Sequence, residues 1–208
     1  AKLGIDNIRF GLISNTGEWS KYGKTETISF KEVLQYIMTI LPEIINRKYP
    51  FTIDIAGLIY LEKFASRYRI PMDKGYLTNE ILRQMPCCIC ARNTLYINPT
   101  GHLTGCELLG ELDTEIYQSI ITTSANSLFT GTYGYAKLSS RNLDDLFKEN
   151  SDCADCKYVN FCHGGCRANA YLYSNNYYAT DINACTFFKD GYYEQIIRLM
   201  DSLNIIHT

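Results

Sequence analysis

Nine cysteines hold most of the chemistry that this sequence can offer. None occurs in the first 86 residues; then come Cys87, Cys88, Cys90, Cys106, Cys153, Cys156, Cys162, Cys166 and Cys185. The densest run is Cys153-x2-Cys156-x5-Cys162-His163-Gly164-Gly165-Cys166. Four thiolates within fourteen residues can converge on metal only if the chain between them folds tightly. Gly164 and Gly165 permit that, because glycine tolerates positive φ and lets backbone N–H groups approach sulfur. A second signal is Gly101-x4-Cys106, with three cysteines upstream and Cys185 alone downstream. In a reducing compartment, clustered cysteines bind metal more often than they bind each other. Two metal chemistries suit the pattern: thiolate-held iron–sulfur clusters, and tetrahedral zinc, for which eight cysteines could fill two sites.

The composition excludes other classes. Hydrophobic residues make up 46% and charged residues 20% of the 208, ordinary for a globular chain long enough to bury a core. A net charge of −2 gives no electrostatic reason to expect nucleic acid or an anionic membrane as partner. No run approaches the ~20 apolar residues of a membrane span. The start Ala1-Lys2-Leu3-Gly4 does not read as a signal peptide, so a cytoplasmic location is expected.

The elements that must position the cysteines divide near residue 86. In the first part, Ile5 to Ile13 predicts a strand, and Ser29 with Glu32 three residues on predicts a capping box. Val33, Leu34, Ile37, Leu41, Ile44 and Ile45 keep helical spacing, with a kink or break expected at Pro42. Phe51 to Ile55 predicts a second strand, giving a right-handed βαβ unit. Helices are expected over 58–68, 78–84, 142–148 and 187–203, and a hairpin over 95–104 with Pro99-Thr100-Gly101 as its turn.

The order of cysteines resembles the SPASM domain, the auxiliary-cluster domain at the C-terminus of many radical S-adenosylmethionine enzymes that modify peptides and proteins. That pattern is a cysteine, nine to fifteen residues, Gly-x4-Cys, a gap, Cys-x2-Cys-x5-Cys-x3-Cys, a second gap and a last cysteine. Here twelve residues separate Cys88 from Gly101, Cys106 follows, the four-cysteine run matches without change, and Cys185 supplies the last position. The resemblance implies an α+β chain: a βαβ remnant of the radical enzyme's partial barrel over 1–86, then a hairpin-and-helix SPASM domain over 87–208. It implies two [4Fe–4S] clusters. Cys153, Cys156, Cys162 and Cys185 would hold the outer one; Cys106 and Cys166 would hold the inner one with cysteines of the 87–90 group. In an extended segment Cys88 and Cys90 point the same way and Cys87 the opposite way, which favours that pair and leaves Cys87 as the alternative ligand. Between residues 150 and 185 the only large aliphatics are Val159, Leu172 and Ile182, so the metals would replace much of a core there.

The family's radical-generating triplet, Cys-x3-Cys-x2-Cys, does not occur. Cys162-x3-Cys166 comes nearest, with Asn169 where the third cysteine would stand. The expectation is therefore a piece of a larger oxidoreductase or maturase, serving as electron relay or substrate platform. Its partners would be a peptide or protein substrate and an electron-donating reductase; S-adenosylmethionine would be used only by the intact parent. The rival is a non-enzymatic zinc-binding structural or interaction module.

Glu107 directly follows Cys106, where the sulfatase-maturing branch of the family has an aspartate assigned as proton acceptor; a surface glutamate is the plainer reading. His163, between two ligands, reads as packing or as a donor to sulfur. His102 and His207 read as solvated. Arg92 and Arg167 flank cysteines and would either offset the charge of an anionic cluster or lie on the surface.

Overall fold

A computed structural model describes residues 4–11, 28–71, 79–88, 95–112, 118–119, 121–122, 124, 126–127 and 140–208. The chain is mixed α+β, and its described residues fall into two compact units. One is drawn from Ala1–Ser14, Gly23–Asp73 and Cys185–Thr208, the other from Lys74–Ala184.

The first unit is built on a five-stranded mixed sheet. Strand β1 (Asn7–Phe10) pairs in parallel with β2 (Thr52–Ile55), from Asn7 opposite Thr52 to Phe10 opposite Ile55. Helix α1 (Phe30–Arg47) connects them, completing the expected strand–helix–strand unit. Its start is set by the predicted capping box: Ser29 Oγ accepts the Glu32 amide at 3.2 Å, and Glu32 accepts the Ser29 amide at 2.8 Å. Leu34, Ile37, Leu41 and Ile45 form its buried face, so α1 packs through an apolar stripe at helical spacing. The helix does not break at Pro42, which lies inside it. Leu41 and Ile45 on either side are buried, and that packing offsets the hydrogen bond that proline cannot make.

A helix over 58–68 is not formed. The segment instead makes strands β3 (Ile59–Leu61) and β4 (Arg67–Arg69), separated by a 3-10 turn at Lys63–Ala65. Ala56 and Gly57 take positive φ (56° and 69°), and Asp54 Oδ1 accepts the Gly57 amide at 2.8 Å, turning the chain back on itself. Ile53, Ile55, Ile59 and Leu61 are then all buried, a period-two pattern that one face of a sheet satisfies. The edge is completed by β8 (Ile206–His207), parallel to β4, with the Tyr68 and His207 rings edge to face at 5.0 Å.

The single helix expected over 187–203 is two, α8 (Ile182–Lys189) and α9 (Tyr192–Ser202). Gly191 at φ 84° separates them. The rings of Phe187, Phe188 and Tyr193 meet across this break within 6.0 Å of one another, Phe187 edge to face with the other two.

In the second unit, α2 (Asn79–Gln84) leads to a bridge between Pro86 and Asn142. The expected hairpin forms as β5 (Tyr96–Ile97) and β6 (His102–Thr104), extended by β7 (Gln118–Ser119). Gly101 at φ 79° makes its turn, and Asn98 Oδ1 collects the Thr100 and His102 amides at 3.1 and 2.9 Å. Among the described residues five short helices follow: α3 (Glu107–Leu112), α4 (Leu143–Glu149), α5 (Ser151–Ala154), α6 (Val159–Cys162) and α7 (Arg167–Ser174). Two small cores are seen among the described residues. One gathers Leu103, Leu109 and Ala168; the other gathers Leu82, Cys87, Leu143, Leu146, Cys153 and Val159. Among the described residues no helix is long and apolar enough to cross a membrane.

Candidate metal centre

The four-cysteine run folds tightly, as its spacing requires. Asn150 caps α5 by accepting the Cys153 amide at 3.1 Å, and its own amide donates to Tyr178 O at 2.8 Å, tying this helix to the loop before α8. Cys153 is buried, and Cys156 packs half-buried against the same core. Cys156 also lines an open cleft of about 310 Å³ with Asn79, Arg83, Phe147 and Lys157.

The turn from Cys162 to Cys166 is tightly constrained. His163, Gly164 and Gly165 all take positive φ (48°, 82° and 78°). The His163 amide closes α6 on Val159 O at 2.9 Å, and the Gly165 amide donates to Cys162 O at 2.8 Å. A Cβ on Gly164 would collide with Leu146 Cδ2, and one on Gly165 with the Asp181 carboxylate and Ala184. Both glycines are thus required by conformation and by space. Beyond the turn, the Cys166 amide donates to Asp181 Oδ2 at 2.7 Å.

Cys166 and Cys106 pack against one core, that of Leu103, Leu109 and Ala168. Thr104 Oγ1 donates to Cys106 O at 3.0 Å and accepts its amide at 3.3 Å, fixing the exit from the hairpin. Burial pushes the Cys166 thiol above its ordinary range, and the charges of Asp181 and Cys88 push the same way. The Asn169 and Ala168 amides at the start of α7 pull it down, without a closed hydrogen bond. Cys88 therefore lies within electrostatic reach of Cys166. Burial also raises the Cys87 thiol, with Cys88 adding to it and the guanidiniums of Arg167 and Arg141 opposing.

Cys106 and Cys166 thus pack on one core, and Cys153, Cys156 and Cys87 on a second. Cys87 is 2% exposed. Cys162 lies at the end of α6, and Cys185 belongs to α8 in the first unit. Cys90 and Arg92 lie outside the described residues. Among the described residues no three His, Cys, Asp or Glu side chains close up as a ready metal site. The thiols are donors suited to iron or zinc, while the space at Gly164 and Gly165 is filled by Leu146, Asp181 and Ala184.

Glu107 is exposed at the first residue of α3. His102 and His207 are half-buried rather than solvated: His102 Nδ1 meets Thr100 Oγ1 at 2.8 Å, and His207 packs on Tyr68. Arg167 is not a surface arginine, since only 1% of it is exposed. Sequence reasoning missed Arg141, which is 7% exposed with its guanidinium 4.2 Å from the centre of the Tyr177 ring. Nothing in its local spacing signals this, because the ring comes from a loop more than thirty residues away.

Comparisons with protein-family models, with curated proteins and with solved structures find no match to this chain.

Proposed function

We propose that this chain is the auxiliary-cluster part of a radical S-adenosylmethionine maturase that modifies a peptide or protein. On this reading 1–86 is the end of a partial barrel and 87–208 a SPASM domain. Cys88, Cys90, Cys106 and Cys166 hold an inner [4Fe–4S] cluster; Cys153, Cys156, Cys162 and Cys185 hold an outer one. The observation that carries the reading is the turn from Cys162 to Cys166. Three successive positive-φ residues, two with no room for a side chain, deliver Cys166 onto the core that also holds Cys106. Glycine takes positive φ without strain, so the turn's geometry is set by the close packing at Gly164 and Gly165, which fixes where Cys166 can lie.

When bound, the clusters would supply one-electron transfer. The chain's own residues do the positioning. Asp181 holds the Cys166 amide, Thr104 holds both backbone groups of Cys106, and Asn150 holds the Cys153 amide. The triplet that starts the radical chemistry would belong to the rest of the enzyme, and S-adenosylmethionine with it. Peptide substrate and an electron-donating reductase are the partners in this reading, in a reducing cytoplasm.

Metal and sulfide analysis of anaerobically purified protein tests it. Iron with acid-labile sulfide and brown colour is expected. Stoichiometric zinc in a colourless protein would favour the structural module instead.

A further inference from the structure

Arg69 ends β4 with its guanidinium carbon 4.2 Å from the centre of the Tyr60 ring. The register of the sheet produces this contact: Asp54 on β2 stands opposite Tyr60 on β3, and Tyr60 stands opposite Arg69. These three alternate with the buried Ile53, Ile55, Ile59, Leu61 and Tyr68, so they share the opposite face of the sheet. Together with Leu58, Ile70 and Pro71 they line an open cleft of about 330 Å³. Asp54 is already engaged there: one carboxylate oxygen accepts the Gly57 amide at 2.8 Å, and the other lies 3.5 Å from Arg9 Nε. Among the described residues the Arg69 guanidinium has neither a carboxylate nor a hydrogen-bond acceptor, and its side-chain partner is the Tyr60 ring. A ring under the guanidinium restrains it while leaving its N–H donors available, and those donors match a carboxylate two at a time.

We infer that this cleft binds a monocarboxylate carrying an apolar group, gripped by Arg69 on its Tyr60 platform. Arg9 and Arg69 against Asp54 leave one positive charge, which suits a monoanion better than a doubly charged phosphate beside the Asp54 carboxylate. Leu58, Ile70 and Pro71 supply apolar surface for the rest of the ligand. The carboxylate belongs either to a free small acid or to the C-terminus of a peptide chain. The site uses no cysteine, so it stands or falls independently of the cluster reading.

The test is an NMR titration of the 208-residue chain with N-acetyl-leucine, N-acetyl-leucinamide, acetate, inorganic phosphate and an acetylated Gly-Gly-Leu peptide with a free C-terminus. N-acetyl-leucine should bind saturably, and the amide, which lacks the anion, about tenfold more weakly or worse. Acetate, which has the charge without the apolar group, should also bind more weakly. Arg69 is exposed, so Arg69→Gln keeps the core intact and should cause the same loss as the amide. Arg67→Gln is the control: this exposed arginine shares the strand and the face but does not line the cleft, and its loss should leave binding unchanged. Tighter binding of the peptide than of N-acetyl-leucine assigns the carboxylate to a peptide C-terminus, and the reverse assigns it to a small acid; either order supports the site. Absence of saturable binding, equal binding of acid and amide, or equal loss in the two Gln variants would overturn it. Phosphate or acetate binding as tightly as N-acetyl-leucine would overturn the choice of an apolar monocarboxylate.

Discussion

Cys166 and Asp181 are joined by a 2.7 Å hydrogen bond from the cysteine amide to a carboxylate that is 3% exposed. The other carboxylate oxygen accepts the Asn183 amide at 3.0 Å near the start of α8. One aspartate thus fixes the exit of the Gly164-Gly165 turn and caps the helix that bears Cys185. Asp181→Ala would leave both amides without their acceptor, at a cost of roughly 1–3 kcal/mol. Urea unfolding checks this, and an unchanged midpoint would contradict it.

Gly164→Ala and Gly165→Ala should each destabilise strongly. Positive φ costs a non-glycine residue about 1–3 kcal/mol, and overpacking adds roughly a further 1–3 kcal/mol. Gly11→Ala is the control, since a Cβ there meets nothing within 4 Å. Its unfolding free energy should stay within about 0.5 kcal/mol of wild type. Equal effects at the three glycines would refute the cradle.

The capping box gives a pH signature. Hydrogen bonds from the Ser29 side chain and backbone hold the Glu32 carboxyl below its ordinary range. A depressed folded pKa means that the contribution is complete above the unfolded value, about 4.3, and is lost as pH falls through the folded one. Ser29→Ala should therefore lower Tm at pH 7 and lower it less at pH 3. A difference in Tm that is constant or grows toward pH 3 would count against the box.

What was legible in the sequence was local. The Ser29–Glu32 box, the Asn98–Gly101 turn and the parallel βαβ unit follow from residues near each other in the chain. The segment 58–68 departs from the expected helix because Leu58, Ile59, Leu61 and Ala65 fit a helical stripe as well as a sheet face. The choice was made by pairing with Ile53 and Ile55 and by β8, about 140 residues away. Tertiary pairing overrides weak periodicity in such short segments. The same limit hid the burial of Arg167, whose acceptors at Tyr177 and Ala179 come from a loop beyond its own helix. Around the cysteines, spacing marked the thiols but not the Asp181, Asn150 and Thr104 groups that hold the backbones of Cys166, Cys153 and Cys106.

Crossed ligation predicts distinct losses. Cys162→Ala should mainly deplete the outer cluster and Cys166→Ala the inner one, each with greater protease sensitivity, since a structural metal site contributes folding free energy. Cys87→Ala should spare both clusters. Iron content with spectroscopy on the three variants decides; loss of the same cluster at 162 and 166 would reject the crossing. Iron loss in Cys87→Ala, with none in Cys88→Ala or Cys90→Ala, would move the ligand to Cys87.

The most direct test of the account is a count of iron by Mössbauer spectroscopy on the anaerobically reconstituted chain. Two thiolate-held [4Fe–4S] clusters predict about eight irons per chain, all with cluster parameters. No cluster iron after reconstitution, with zinc bound in its place, would contradict it.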